Sequence, residues 1–492
     1  MRRAIVIGAG IGGLAGAALL ASKGFQTIVF EKNASAGGKM QQVESKGYRF
    51  DTGPSLFTMP FILENLFEQC GKNVRDYLQW QELSPLCKYF YKDGVVFNNY
   101  SDRLKTAREI EQFAPEDAVA YNSFLNYSED LYSRTADAFL FNPLYDLSDL
   151  KSLNFTDFLK IDAFSTVSER IDQTFSSPYL RQFFKRFTTY NGSSPFQAPA
   201  TLNVIPHVEL NQGGYYVDGG LYSIARALQK LCEELGVTFR FNTQVDSIAV
   251  KNRSIQGIKT SQGQFEACDI LFSNSDATDT ICNLLPQSSL PVRKREKQSR
   301  IEPSCSGFVL TLGCNRIWEQ LVHHNIFFSG NYRQEFTDIF ENQKMPDDPT
   351  IYVANTSYTD TDHAPPGSSN LFILVNAPFM NGKQDWSQIK KEYRTFIIEE
   401  LEKRGLENLS GSIDYSEVIG PDDFYEKYRS NRGSIYGTSS NSRLAAFLRP
   451  RNSLKEIDNL YLVGGSTHPG GGIPLVIQSA FNAIQLLERS KR

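Results

Sequence analysis

Gly8-Ala9-Gly10-Ile11-Gly12-Gly13 lies between an apolar run, Ala4 to Ile7, that reads as a strand and a small-residue run, Leu14 to Ser22, that reads as a helix. A second apolar strand follows and ends at Glu31. The pattern predicts a βαβ unit that binds a dinucleotide. Gly8 permits the tight turn, Gly10 lets backbone N–H groups approach a pyrophosphate, and Gly13 lets the helix pack close to the strand. The pyrophosphate rests on the positive end of that helix, at Ile11 and Gly12. Glu31 stands eighteen residues beyond Gly13, where an acid accepts hydrogen bonds from ribose hydroxyls and repels a 2′-phosphate; NADP is therefore disfavoured.

Bulk composition narrows the class. The chain has 492 residues, 41% hydrophobic and 22% charged, with a formal net charge of −4, so about two to four domains are expected and nothing points to nucleic acid. Five histidines show no ligand spacing and seven cysteines never form a CxxC pair, so no metal site is expected. Scattered, unpaired cysteines fit a reducing cytosol. Arg2-Arg3 before Ala4 to Ala21 superficially resembles a secretory signal, but its glycines fall where a nucleotide fold needs them. No other run reaches the roughly 18 apolar residues of a membrane span. A soluble or surface-bound chain is expected.

Two further blocks share the nucleotide-domain character. In the first, Gly219-Gly220 opens a helix, Ile224 to Leu235, and strands are expected at Val237–Phe241, Val245–Val250, Ser254–Ser261 and Ile270–Ser273. In the last, a strand Asn459–Val463, a Gly-rich loop Gly464–Gly472 and a helix from Pro474 to about Leu487 close the chain. Residues 57–212, rich in Phe, Tyr and Leu, read mostly as helices, and 286–440 mix strands and helices. The expected fold class is α/β (α+β), a discontinuous Rossmann-like domain with insertions. Its segments are 1–56, 213–285 and 441–492; a substrate-binding domain takes 57–99 and 286–440, and a mainly helical, membrane-facing domain takes 100–212.

The third block favours a flavin over nicotinamide. A second glycine-rich strand-loop-helix offers another helix N-terminus, and backbone N–H groups near Gly472 and Ile473 face the negative charge that a reduced flavin develops. Gly8 to Gly13, Glu31, Gly37-Gly38-Lys39, Asp51-Thr-Gly-Pro-Ser55, Gly192-Ser-Ser-Pro195, Gly219-Gly220, Asn274-Ser-Asp276, Ala364-Pro-Pro-Gly367, Arg449-Pro450 and Gly464-Gly-Ser-Thr-His-Pro-Gly470 together resemble the FAD-dependent carotenoid desaturases of phytoene-desaturase type, end to end. Val217-Asp218, Gly465 and Leu475 depart from patterns common in that family or its more distant relatives.

The resemblance implies FAD as cofactor and an amine oxidase/GDI type of fold. It implies that Glu31, with Lys32 beside it, holds the adenosine ribose, that Gly38 and Lys39 lie near the pyrophosphate, and that Val245 presents its backbone to adenine. Gly53, Pro54 and Ser55, together with Gly464, Gly465, Gly472, Ile473 and Pro474, would flank the flavin. The implied reaction is hydride transfer from a carotenoid to the flavin. Its first form is 3,4-desaturation of a 1-hydroxylated or monocyclic carotenoid; phytoene or diapophytoene desaturation and carotenoid oxidation or ketolation are the alternatives. No catalytic residue is assigned, and Glu209 and His207 are candidate proton acceptors. A lipophilic substrate further implies a cytoplasmic protein held peripherally on the cytoplasmic membrane, with oxygen or a quinone accepting the electrons. Candidate docking segments are Pro54–Phe67, with Phe57 and Phe61, Phe139–Tyr145, and the basic Arg293–Lys297 with Arg300. A flavin amine oxidase and a non-catalytic prenyl-binding protein of the GDI type are the rivals.

Overall fold

The computed structural model describes residues 2–143, 161–442 and 449–490. Two positions of a candidate docking segment, Leu144 and Tyr145, lie outside them. Arg3–Ile7 is the centre of a parallel array of five strands in the order Ile457–Leu462, Ile270–Ser273, Arg3–Ile7, Gln26–Phe30, Thr238–Arg240. Strands from three separated stretches of chain thus share one sheet. The three central strands are buried nearly end to end, as both faces are covered. The period of two divides them: Ala4 and Val6 enter the cluster formed with helices Ile11–Ser22, Tyr222–Glu234 and Ile473–Arg489. Ile5 and Ile7 enter the cluster formed with the antiparallel strands Val245–Lys251 and Ser254–Thr260.

The first helix begins at Ile11, inside the glycine motif and not after it. Gly13 explains how. A β-carbon there would lie 2.0 Å from the Gly8 carbonyl oxygen, so only glycine allows the helix to start against the strand it has just left.

A second sheet of seven strands runs Ile413–Ile419, Ser306–Cys314, Ser369–Ala377, Ile351–Asn355, His324–Phe327, Cys87–Phe90, Val96–Asn99. It is antiparallel except where Cys87–Phe90 joins His324–Phe327. Helix Trp386–Lys403 packs against it through Trp386, Ile397 and Leu401. The helices Ala118–Ala136, Val167–Thr174 and Pro178–Lys185 build an aromatic cluster on Tyr89 and Phe97 of its edge hairpin. The described residues of 57–212 are mostly helical, and the Cys87–Asn99 hairpin is an exception within them. Asp93-Gly94 at its tip was the available signal, since such a pair permits the positive φ that Gly94 adopts.

The Asp51 carboxylate joins a separate two-stranded hairpin, Gln42–Ser45 with Tyr48–Asp51, to a helix. It takes a bidentate contact from Arg49, at 3.0 and 3.2 Å, and accepts the Leu221 and Tyr222 N–H groups at 2.9 and 3.1 Å, capping Tyr222–Glu234. Gly220 (φ +89°) leaves the space the Arg49 guanidinium occupies, for a β-carbon there would sit 2.1 Å from Nη1. Asp51→Ala strands a buried cation and uncaps the helix. We expect it to lower unfolding stability by about 3–5 kcal/mol, read from the urea midpoint at constant slope, with Asp51→Asn less severe.

Candidate active site

Helices Ile11–Ser22 and Ile473–Arg489 each follow a strand of the parallel sheet, and each begins on a glycine, Gly10 or Gly472. Neither has a side-chain cap or an acid in its first turn. First-turn N–H groups without intrahelical partners are anion sites. Both helix starts line one cavity of about 1030 Å³, large for a ligand pocket. Gly10, Ile11, Gly472, Ile473 and Pro474 all contribute to its wall.

At one end of this cavity lie Glu31, Lys32 and Val245. The Glu31 carboxylate accepts the Ala9 N–H at 2.7 Å and the Asn33 backbone and side-chain N–H groups at 2.8 and 2.9 Å. A carboxylate accepts about four such bonds, so capacity remains for a ribose hydroxyl. The Glu31 carbonyl accepts the Thr243 N–H at 2.8 Å, which holds the turn before Val245 beside it. The Lys32 ammonium donates to the Glu426 carbonyl at 2.6 Å, and burial lowers its pKa.

Lys39 follows Gly38 on the cavity wall, and its ammonium donates to the Ser434 and Ile435 carbonyls, both at 3.0 Å. Burial lowers its pKa to about 8, against the pull of Asp276. Asp276 is raised by its own burial despite Lys39, and it accepts N–H groups of Thr278 and Asn431 at 2.8 and 3.2 Å. Gly53, Pro54 and Ser55 line the next stretch. Gly53 packs on the Lys39 backbone, where a β-carbon would fall 2.4 Å from the carbonyl oxygen.

Gly8 and Gly465 also line the cavity, whereas Gly12, Gly13 and Gly464 stand behind its wall. The residue that joins these two sets is Asn274. A β-carbon at Gly10 would lie 2.7 Å from its Nδ2, and one at Gly12 or Gly464 would lie 2.7 or 2.6 Å from its Oδ1. Asn274 stands in a stretch that the sequence singles out without giving it a role. Arg449 is a second such residue. It is buried on the cavity wall, donates only to the Gly465 and Thr438 carbonyls and the Ser440 hydroxyl at 3.2–3.4 Å, and has no carboxylate partner among the described residues. Burial lowers its pKa to about 10.

Two uncapped helix starts and two desolvated cations, Lys39 and Arg449, that have no ion-pair partner among the described residues fit a dinucleotide whose pyrophosphate is anionic and whose flavin becomes so on reduction. The remaining candidates separate. Glu209 lines the cavity, held by Arg186, whereas His207 does not line it and hydrogen-bonds Asn211 and Gln212. His468 is also outside the cavity wall and binds the Asn142 carbonyl at 3.0 Å; its neighbour Pro469 lines it.

The flavin-containing amine oxidoreductase profile matches residues 11–486. The chain belongs to that family. It is 35% identical over 477 residues to a 4,4'-diaponeurosporene oxygenase of Staphylococcus aureus, covering 96% of both chains. It is 36% identical over 486 residues to a 4,4'-diapolycopene oxygenase of Methylomonas sp., covering 97% of this chain and 96% of the other. These relatives set it in the FAD-dependent carotenoid desaturase-type branch. Among solved structures it shares its fold with cyclohexylamine oxidase from Brevibacterium oxydans, at TM-score 0.62 and 14% identity over 100% of both chains. It shares it too with a Rab GDI from Plasmodium falciparum, at TM-score 0.53 and 12% identity over 99% and 98%. The chain is an FAD-dependent oxidoreductase.

Two measurements test the cofactor contacts. Glu31→Ala should weaken FAD by about 1–3 kcal/mol, the range for hydrogen bonds to a charged acceptor, in a fluorescence titration of the apoprotein. Lys39 gives a pH signature. Without FAD it loses its proton near pH 8 and its unfolded value is 10.5, and a neighbouring pyrophosphate favours the ammonium. FAD affinity should therefore be flat below about pH 8 and fall as pH rises toward about 10, by at most about tenfold per unit. Lys39→Met should abolish the slope; equal slopes would remove Lys39 from the site.

Proposed function

We propose that the protein oxidises a carotenoid, taking hydride equivalents from the polyene into FAD. The observation that carries this is the continuity of the cavity. The one cavity lined by Glu31, Gly10 and Ile473 is lined as well by Leu56, Leu140, Leu202, Ile205, Val208 and Ile326, and these apolar groups suit a long hydrocarbon chain.

Bound FAD supplies the two-electron acceptor, and oxygen or a quinone is the class of final oxidant. The protein's own work is binding and orientation. Glu31 and Val245 hold the adenosine end, and the start of helix Ile11–Ser22, with Gly38 and Lys39, holds the pyrophosphate. Gly53 to Ser55, Gly465, Gly472, Ile473 and Pro474 would flank the flavin. The start of helix Ile473–Arg489 and Arg449 would offset negative charge on the ring. Apolar walls exclude water from the reacting carbons, and the tyrosine and phenylalanine faces stabilise cationic character on the polyene.

Two oxidations fit this site. The oxygenase names of both relatives favour introduction of oxygen into a polyene; the sequence resemblance favours 3,4-desaturation of a 1-hydroxylated or monocyclic carotenoid. Anaerobic mixing of the FAD-loaded protein with a carotenoid panel should bleach the oxidised flavin band with one class of polyene. Chromatography of aerobic products then separates gain of oxygen from loss of hydrogen alone, and a flavin that no polyene reduces would overturn the proposal.

Access from a bilayer is part of the same reading. No helix among the described residues is long and apolar enough to cross a membrane. Phe61 is 43% exposed and Phe164 61%. Phe61 meets Phe141 edge-on at 6.3 Å, and next to Phe141 and Phe164 in the chain Leu140 and Ala163 line the cavity. On this reading the exposed Phe61 and Phe164 rings are the apolar groups suited to shallow insertion. Phe57 is not one of them: only 1% exposed, it packs edge-on against Trp80. The basic run is also partly committed, since Lys294 pairs with Glu456 and Arg295 donates to carbonyls of Ile281 and Cys282. Phe61→Ser with Phe164→Ser should lower the fraction of protein that sediments with anionic liposomes at high salt, while FAD content is kept.

A further inference from the structure

Past Ser55 the apolar wall of the cavity is interrupted by a buried polar corner. Arg186 Nη2 donates to Glu209 Oε1 at 2.6 Å, and the Tyr190 hydroxyl donates to Glu209 Oε2. The guanidinium carbon lies 4.3 Å over the Phe187 ring and 5.3 Å over that of Tyr89. Burial works against the cation, but the Glu209 carboxylate outweighs it and keeps Arg186 charged. His324 and Tyr332 are the other members; all five residues line the cavity.

The corner is tied to the loop assigned to the flavin. The Ser55 hydroxyl lies 2.6 Å from the Tyr352 hydroxyl, which in turn lies 2.7 Å from His324 Nδ1. Burial, reinforced by His323 and Arg186, holds the His324 ring neutral.

Its hydrogen-bonding capacity is not used up. Arg186 Nε and His324 Nε2 are buried without partners. Arg186 Nη1 and the Tyr332 hydroxyl make no hydrogen bond to a described residue. Buried polar groups are ordinarily paired, and a desolvated ion pair is weak evidence of a stability role, because apolar replacements of such pairs are often neutral or stabilising. A purely hydrocarbon chain end would leave these donors unsatisfied.

We infer that this corner binds a neutral oxygen, hydroxyl or carbonyl, borne on the end of the polyene substrate. The sign of the ligand follows from the pair itself. Glu209 already neutralises Arg186 at 2.6 Å and would repel a second carboxylate. Spare N–H groups on Arg186 match an acceptor oxygen. A hydroxyl serves either His324 tautomer, because it both donates and accepts. A site built to hydrogen-bond a substrate oxygen discriminates strongly against the analogue lacking it. The enzyme would therefore take, or hold on to, a substrate whose end is already oxygenated. The inference rests on the polyene reading above.

The test is binding to the FAD-loaded protein, followed by quenching of tryptophan fluorescence, with four probes of one chain length: all-trans-retinal, all-trans-retinol, retinoic acid and the hydrocarbon anhydroretinol. Retinal or retinol should bind at least about tenfold more tightly than anhydroretinol and retinoic acid. Arg186→Met with Glu209→Gln removes both charges together and leaves no unpaired ion. It should bring the preference to within about twofold while hydrocarbon binding persists. Tyr332→Phe, which removes one hydroxyl at constant shape, should lower the preference several-fold if the double variant does not retain FAD. Equal binding of hydrocarbon and oxygenated probes by the unaltered protein would overturn the polar corner and leave the polyene reading standing. So would a preference that survives in the variants. Failure of every probe to bind would overturn the polyene reading and this inference with it.

Discussion

The Asn274 carboxamide fills the one space that three separated stretches of chain share. Its backbone N–H donates to the Ile7 carbonyl at 2.8 Å, extending the register of the parallel strands, and its side chain lies against Gly10, Gly12 and Gly464 at distances that admit no β-carbon. Glycines of a dinucleotide motif are usually explained by the ligand, which needs backbone within reach. In this protein they are required equally by an asparagine on the neighbouring strand. Closure of the sheet and formation of the cofactor cradle are therefore a single packing problem. The last block of the chain cannot dock without completing the wall behind the first.

How much of this the sequence makes legible depends on whether the deciding contact is local. The βαβ unit and the last strand-loop-helix are legible because strand, turn, helix start and ribose acid fall within a few tens of residues, each with its own chemical requirement. The α/β class follows directly. Helix Ile11–Ser22 still begins three residues before its apolar run suggests, since the close approach of Gly13 to Gly8 is invisible to periodicity. Phe57 and Phe61 are alike in sequence and opposite in exposure; what separates them is Trp80, which packs on one and not the other. Glu209 and His207 sit two residues apart in the short turn His207–Asn211, and only the position of Arg186 decides which of them faces the cavity. Asn274 and Arg449 stand in stretches that the sequence singles out, but nothing local gives either a role. Their roles come from groups more than a hundred residues away, or from the absence of a carboxylate partner.

The distribution of buried charge sorts the cavity into regions with different work. The cations on the wall near the two helix starts, Lys39 and Arg449, are held by backbone carbonyls and weakened by desolvation, with Asp276 acting on Lys39. Such an arrangement is poor for an isolated protein and improves when an anion arrives. Past Ser55 the buried charges are matched, Arg186 against Glu209, and the region is electrically neutral. On the proposed reading, an anionic cofactor and an uncharged substrate would each meet complementary surroundings on the wall of one cavity.

The same architecture serves an amine oxidase and a Rab GDI, so the fold by itself does not choose between catalysis and holding a lipid. The choice lies in which walls of the common cavity are equipped. Here the helix starts that follow strands of the parallel sheet, and the loops that carry Lys39 and Arg449, bring anion-binding groups to one wall. The inserted helical layer and the second sheet supply the apolar half and the polar corner. Because Arg186 and Glu209 come from the helical layer, and His324 and Tyr352 from the second sheet, the substrate end can be redesigned by changing these elements without disturbing the glycines around Asn274. The cofactor end has no such freedom, since its side chains are also the packing of the sheet.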